Sequence, residues 1–345
     1  MRRYAYTYII YSLALLLGAT ACVRDEIEPC PPLKVRLAVK DKNYFNIDMG
    51  VRLGLEERKA DDLPFRDYVS TLYYKLTDAA TGAVVREQTL QTVTAADQEI
   101  GIAFPDDLPF GTYVFTAWGN MQSDRPLTDD ATASELHMYN VEGNDIYLTS
   151  DTLVYDELRF EYLAEMERVK GKLIVQAENL PDNIDYSTKD VHNLFAFVTA
   201  NFEYDRETSV HTDTLWQEPN QIVTRTVLCP STAVDNSFLS VNFYDYSRHR
   251  ASRAADEGGY AWIAPEDIRI QMARNELTIL RYVYVSGGSE EPDPDIPEPE
   301  PEPDPDEPPG PGPGPTPEPD PGNSKFKIYI LINDNWENLH PMEIE

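Results

Sequence analysis

With 345 residues and 41% hydrophobic content, the chain can build about two cored domains of ~100–200 residues each. Its 60 Asp and Glu stand against 29 Lys and Arg, a formal charge of −31 that repels nucleic acid and anionic headgroups and argues against a phosphate-binding role. Residues 290–320 hold twelve of those acids and no base, so −31 + 12 leaves −19 on the remainder, and the acidity belongs to the folded part too.

Residues 1–21 read as an export signal. Arg2 and Arg3 supply the positive start, Tyr8 to Leu17 an apolar run, and Ala19-Thr20-Ala21 the small residues of a cleavage site. That run is too short for a spanning helix, which needs ~20 residues, and no later stretch reaches that length. Cys22 follows directly, where a bacterial lipoprotein carries its thioether-linked diacylglycerol and an acyl chain such as palmitate on the new amino terminus. At ~0.8 kcal/mol per buried CH₂, several chains on one residue hold firmly. The alternative is ordinary cleavage after Ala21 and a soluble product. Residues 22–32 form the lipidated leader. Export also permits a disulfide between the two remaining cysteines, Cys30 and Cys229, with two separate thiols as the alternative.

The stretch 33–165 alternates as strands do. Leu33 to Val39 is one strand. Tyr68 to Leu76 is a second, linked through Thr77–Gly82 to a return arm at Ala83–Arg86. Ile100–Phe104 and Leu108–Gly119 follow, the latter with Tyr113, Phe115 and Ala117 on one face and Val114, Thr116 and Trp118 on the other. Short helices are candidates at Leu55–Asp61 and Thr132–Asn140. A second set over 166–286 opens at Val169–Ala177 and continues through Val191–Thr199, Ile222–Leu228, Phe238–Tyr244 and Leu277–Val285, with the joint near Leu163 to Arg168. Two runs of short strands predict an all-β chain of two tandem β-sandwiches.

Residues 287–322 are a Pro/Glu/Asp-rich spacer. Proline removes donors and fixes φ, so neither sheet nor helix is expected, and repelling carboxylates stretch the tract. Residues 323–345 then carry Phe326-Lys327-Ile328-Tyr329-Ile330-Leu331-Ile332, a strand that cannot persist alone. It folds back as the last strand of the second sandwich, or it completes a partner's sheet, with Phe326, Ile328, Ile330 and Ile332 as the strand-exchange face.

Chemistry is hard to find in the residues. His137, His192, His211, His249 and His340 are scattered, and no zinc, P-loop, nucleophile-elbow or EF-hand pattern occurs. No enzyme, cofactor, metal or small-molecule substrate is expected. Trp118, Trp216, Trp262 and Trp336 are in or near strands, where burial in a sandwich competes with exposure as a sugar platform.

Several motifs, taken in order, resemble a known family. Cys22 followed by Cys30-Pro31-Pro32, then Leu108-Pro109-Phe110-Gly111-Thr112-Tyr113 with Ala117-Trp118-Gly119-Asn120, then Arg168-Val169-Lys170-Gly171-Lys172-Leu173-Ile174-Val175 with Asn179-Leu180-Pro181, are similar to the fimbrillin-like anchor subunits of Bacteroidales type V pili. The resemblance implies two transthyretin-like sandwiches and a lipid anchor in the outer membrane, exposed at the surface. It also implies a fimbrial shaft subunit as partner, reached by β-strand complementation. Pro109-Phe110-Gly111 in place of a Pro-Gly turn and the acidic proline tract depart from the family pattern. They leave a free-standing surface adhesin or glycan-binding lipoprotein as the alternative.

Overall fold

The computed structural model describes residues 31–122, 133–216, 221–233, 237–245, 262–285, 325–332 and 335–339, and only the backbone of 221, 262, 325, 332 and 335–339. The chain is all-β and built of sandwiches. Its first strands are β1 (Lys34–Val39), β2 (Thr71–Asp78), β3 (Val84–Thr92), β4 (Ile100–Ala103), β5 (Gly111–Gly119), β6 (Ala133–Glu135), β7 (Tyr147–Tyr155) and β8 (Glu161–Arg168). Seven of them form the order β3-β2-β5-β7-β8-β1-β4. Only Tyr147↔Arg168 and Leu148↔Glu167 join β7 to β8, so the sheet turns there and its two leaves face each other.

Period-two patterning explains the filling. In β1, Val35, Leu37 and Val39 point inward, while Lys34 and Arg36 point out toward Glu161 and Glu99. They meet Leu72, Tyr74 and Leu76 of β2 and Tyr113, Phe115 and Ala117 of β5 in one apolar core. The predicted two faces of β5 are therefore real. Trp118, on the opposite face, is fully buried with Tyr73 in the core of the other sandwich.

That second sandwich comprises β9 (Gly171–Glu178), β10 (Tyr186–Thr199), β11 (Tyr204–Leu215), β12 (Gln221–Leu228), β13 (Ser237–Tyr244), β14 (Trp262–Ile263), β15 (Ile268–Ile270), β16 (Leu277–Val285), β17 (Lys325–Ile332) and β18 (Asn335–Leu339). One sheet runs β11-β10-β13-β14, with β15 on β13 and β6 on β10; the other runs β12-β9-β16-β17-β18. Residues 133–146 thus cross from the first half of the chain onto the second sandwich, where Glu135 pairs with Phe197 and Leu136 and Ile146 join the core. In β10 the register shifts between Val191 and Leu194, with Asn193 at φ 58°. The bulge moves the inward phase from Ser187, Lys189 and Val191 to Leu194, Ala196 and Val198.

The helices differ from expectation. The one α-helix among the described residues is α1 (Ile47–Arg52), and Leu55–Asp61 is irregular. After Leu55 the run Glu57-Arg58-Lys59-Ala60-Asp61 is exposed, with no apolar stripe to dock a helix. In place of a helix over 132–140 the chain forms β6 and a 3₁₀ turn at Met138–Asn140.

The two sandwiches meet through a small apolar cap and a buried cation. Tyr44, Ile47 and Leu55 cover Ile174, Leu277, Ile279 and Leu331 on the outer face of the second sandwich. The Asn46 amide exchanges both hydrogen bonds with the Leu277 backbone, at 2.9 and 2.7 Å, as a neighbouring strand would. Arg168, at the end of β8, is buried and fully paired. Its guanidinium donates to Asp145 Oδ2 (2.8 Å), Asn275 Oδ1 (2.6 Å) and the Tyr147 hydroxyl (2.6 Å), and lies 4.1 Å over the Tyr44 ring. Burial alone would lower its pKa, but Asp145 and the tyrosine oxygens outweigh that and hold it above the usual arginine value. Three residues on, Gly171 packs so closely that a Cβ would come within 2.2 Å of the Ala273 carbonyl oxygen.

Candidate functional site

Of the residues singled out from the sequence, Cys22 and Cys30 lie outside the described residues, as do the signal and the spacer. Cys229, just past β12, is a buried free thiol that donates to the Phe195 carbonyl. Burial pushes its pKa up to about 12, so it stays a thiol and is a poor nucleophile at neutral pH.

Phe326, Ile328 and Ile330 lie on the inner face of β17, antiparallel to β16. Phe326 stacks on Phe243 (5.6 Å between centroids) and meets Tyr282 and Tyr284 edge-on. Ile328 is buried opposite Tyr282, and Leu331 on the other face joins the cap under Tyr44. Ile332 ends the strand, its backbone paired with Asn335 of β18. Among the tryptophans, Trp118 is wholly buried and offers no platform, whereas Trp216 is half-buried; the side chains of Trp262 and Trp336 are outside the description.

The structure also assembles a site that the sequence did not single out. A cleft of about 620 Å³ opens between β11 and β12, the adjacent edge strands of the two sheets of the second sandwich. One wall is the loop Val141-Glu142-Gly143-Asn144, and buried polar groups fasten it. His137 Nδ1–H donates to the carbonyls of Val141 (3.1 Å) and Glu142 (3.0 Å), while its Nε2 accepts the Cys229 N–H (3.0 Å). This fixes the neutral tautomer. Burial, helped by nearby Lys170, lowers the His137 pKa to about 3. Lys170, wholly buried, donates to the Glu142 carbonyl (2.8 Å), and burial lowers its pKa to about 8. The Glu142 carboxylate accepts the Val227 N–H (2.7 Å) on edge strand β12. Tyr139 and Asn140, in the 3₁₀ turn just before this loop, hold left-handed conformations at φ 61° and 59°.

The floor is Lys189. It points inward from β10, is buried, and donates to the hydroxyls of Thr224 (3.0 Å) and Thr226 on β12. Burial lowers its pKa to about 8, with Glu142 opposing, so at neutral pH it is still an ammonium. The opposite wall includes Trp216, whose indole Nε1 donates to Ser187 Oγ (2.9 Å) and fixes the ring. One signal for Lys189 was present in the sequence. Ser187, Lys189 and Val191 share a strand face, but the strand was read as starting at Val191, which hid the lysine's inward phase.

Among the described residues no helix is long and apolar enough to cross a membrane, and no three His, Cys, Asp or Glu side chains gather as metal ligands. No family model and no curated protein matches the chain. Solved structures do. A proposed adhesin from Bacteroides ovatus aligns over 91% of this chain and 96% of its own, with a TM-score of 0.51 at 11% identity, a likeness of fold. A proposed adhesin from Bacteroides thetaiotaomicron (TM-score 0.46, 14% identity, 75% of this chain and 93% of that one) is also similar. So is the fimbrial anchor protein Mfa2 from Porphyromonas gingivalis (TM-score 0.41, 12% identity, 90% and 100%). The chain is therefore similar in fold to a protein proposed as a Bacteroides adhesin.

Proposed function

We propose that this chain is a non-catalytic surface lipoprotein of the outer membrane that anchors or helps assemble a fimbria. Acyl groups on Cys22 hold one end, and the hairpin β17–β18 at the other meets a shaft subunit. The observation that supports this reading is the placement of that hairpin. It follows the Pro/Glu/Asp-rich residues 287–322 in sequence and adds to the sheet edge at β16 through a backbone ladder and the Phe326 stack. Such an edge can be vacated and refilled. Were β17 to leave, the exposed β16 would present unpaired backbone groups with Tyr282 and Tyr284, a slot for a strand of the same alternation.

The leader enters at the opposite sandwich, where the Tyr155 hydroxyl donates to the Pro31 carbonyl (3.0 Å). Pro31 and the hairpin thus belong to different sandwiches, which suits a chain held at one end and engaged at the other. The test is to replace Cys22→Ala in the native host and follow fimbriae and labelled palmitate. Loss of label from the chain, with fimbriae shed into the medium, is expected. Fimbriae retained as in wild type would overturn the anchoring role. Deleting 323–345 should leave membrane attachment intact while reducing captured shaft subunit. If the deleted chain instead loses its folded core, the hairpin is an integral strand and the subunit contact lies elsewhere.

A further inference from the structure

The cleft beside Lys189 contains one buried ammonium with no carboxylate in contact, Glu142 acting on it only from beyond ion-pair distance. Around it, Glu142 is tied to the Val227 N–H, Asp213 accepts the Tyr186 hydroxyl (3.0 Å), His211 pairs with Asp190 (2.7 Å), and Arg225 donates to the Leu55 carbonyl (2.8 Å) and lies 3.8 Å from the Glu56 carboxylate. Lys189 has two threonine hydroxyls and no carboxylate within ion-pair distance among the described residues, although an ammonium carries three donors and a full charge. Burying a cation without a counter-ion in contact costs several kcal/mol, and two neutral hydroxyls offset only part of that. The same ammonium lines an open cleft whose volume suits one or two sugar rings.

From this geometry we infer that the cleft binds an acidic sugar, a hexuronic acid unit of a polysaccharide, with its carboxylate seated against Lys189. The lining fits that chemistry. Hydroxyls and amides of Thr212, Thr214, Gln122 and Asn144 can exchange hydrogen bonds with ring hydroxyls, and the fixed indole of Trp216 offers an apolar wall to a ring face. A neutral sugar would leave the ammonium unmatched, so the site selects for charge. The loop Val141–Asn144, fastened through His137 and Lys170, holds the wall in place before a ligand arrives.

Isothermal titration of the mature chain with trigalacturonate, its methyl ester and neutral maltotriose tests this. Trigalacturonate should bind, and both neutral ligands should bind at least about tenfold more weakly, as expected for losing a charge-assisted contact. Lys189→Met should weaken trigalacturonate by at least about tenfold without lowering Tm, and Trp216→Ala should weaken it less. Absence of trigalacturonate binding, equal binding of the ester, or undiminished binding by the methionine variant would overturn the proposal. So would stronger binding of a tri-aspartate peptide than of trigalacturonate. The acid–ester comparison uses the wild-type chain and therefore stands even if a variant fails to fold.

Discussion

Two buried cations, Arg168 and Lys189, sit in the same molecule at opposite ends of electrostatic satisfaction. Arg168 has a carboxylate, an amide, a hydroxyl and an aromatic face around its planar fork, and its pKa lies above the usual value. Lys189 has two neutral hydroxyls, and burial lowers its pKa. The difference teaches that burial alone does not decide a charge's role. A cation answered by its own chain fastens two sandwiches together. A cation left unanswered at a cleft is a receptor for something the chain does not supply.

Breaking Arg168 should cost most. Arg168→Met strands Asp145 in the joint and should lower stability by about 3–5 kcal/mol in a denaturant titration. An unchanged midpoint would mean that the joint does not depend on its charge. Gly171→Ala probes the same joint through packing, because the new Cβ meets a backbone oxygen that no rotamer change can move; a loss of about 1–3 kcal/mol is expected.

Acid should act next, on the cleft's loop. His137 has a folded pKa of about 3 against 6.5 unfolded, so below pH 6.5 the unfolded chain takes up a proton that the folded chain refuses. Stability must fall as pH drops through that window, by about 2 kcal/mol at pH 5. His137→Gln, which does not titrate, should remove that part of the slope. The smallest effect has the opposite sign. Lys189→Met should raise stability at pH 7 by on the order of 1 kcal/mol. In wild type, stability should also rise from pH 8 to 10.5, because the folded lysines 189 and 170 shed protons that the unfolded chain keeps. The methionine variant should show a shallower rise, retaining the share of Lys170. A destabilised variant would place Lys189 with Arg168, as a structural cation.

Much of the architecture was legible along the chain. The β2–β3 hairpin was marked by Asp78 and Gly82, and the Asp78 carboxylate indeed accepts the N–H groups of Ala80 and Thr81 while Gly82 takes φ 71°. The apolar/basic alternation of β1 and the two faces of β5 followed from period two alone. The helix is not legible because Ile47 is its one buried apolar side chain, and with Tyr44 before it and Leu55 after it that residue caps another domain's sheet rather than lining a stripe. The cleft was missed for a related reason. A lysine in a strand reads as solvent-facing until a bulge two residues beyond Val191 reveals which phase is inward.

The sequence by itself determined the all-β class, the two runs of strands and the strength of the terminal strand, because side chains alternate across a strand whatever it packs against. Only the tertiary structure decided where β17 pairs, how residues 133–146 cross to the second sandwich, and that Arg168, and not Lys189, finds a carboxylate. Those outcomes depend on groups brought together from Tyr44 to Leu331, and the electrostatic fate of a buried charge is set by neighbours distant in the chain.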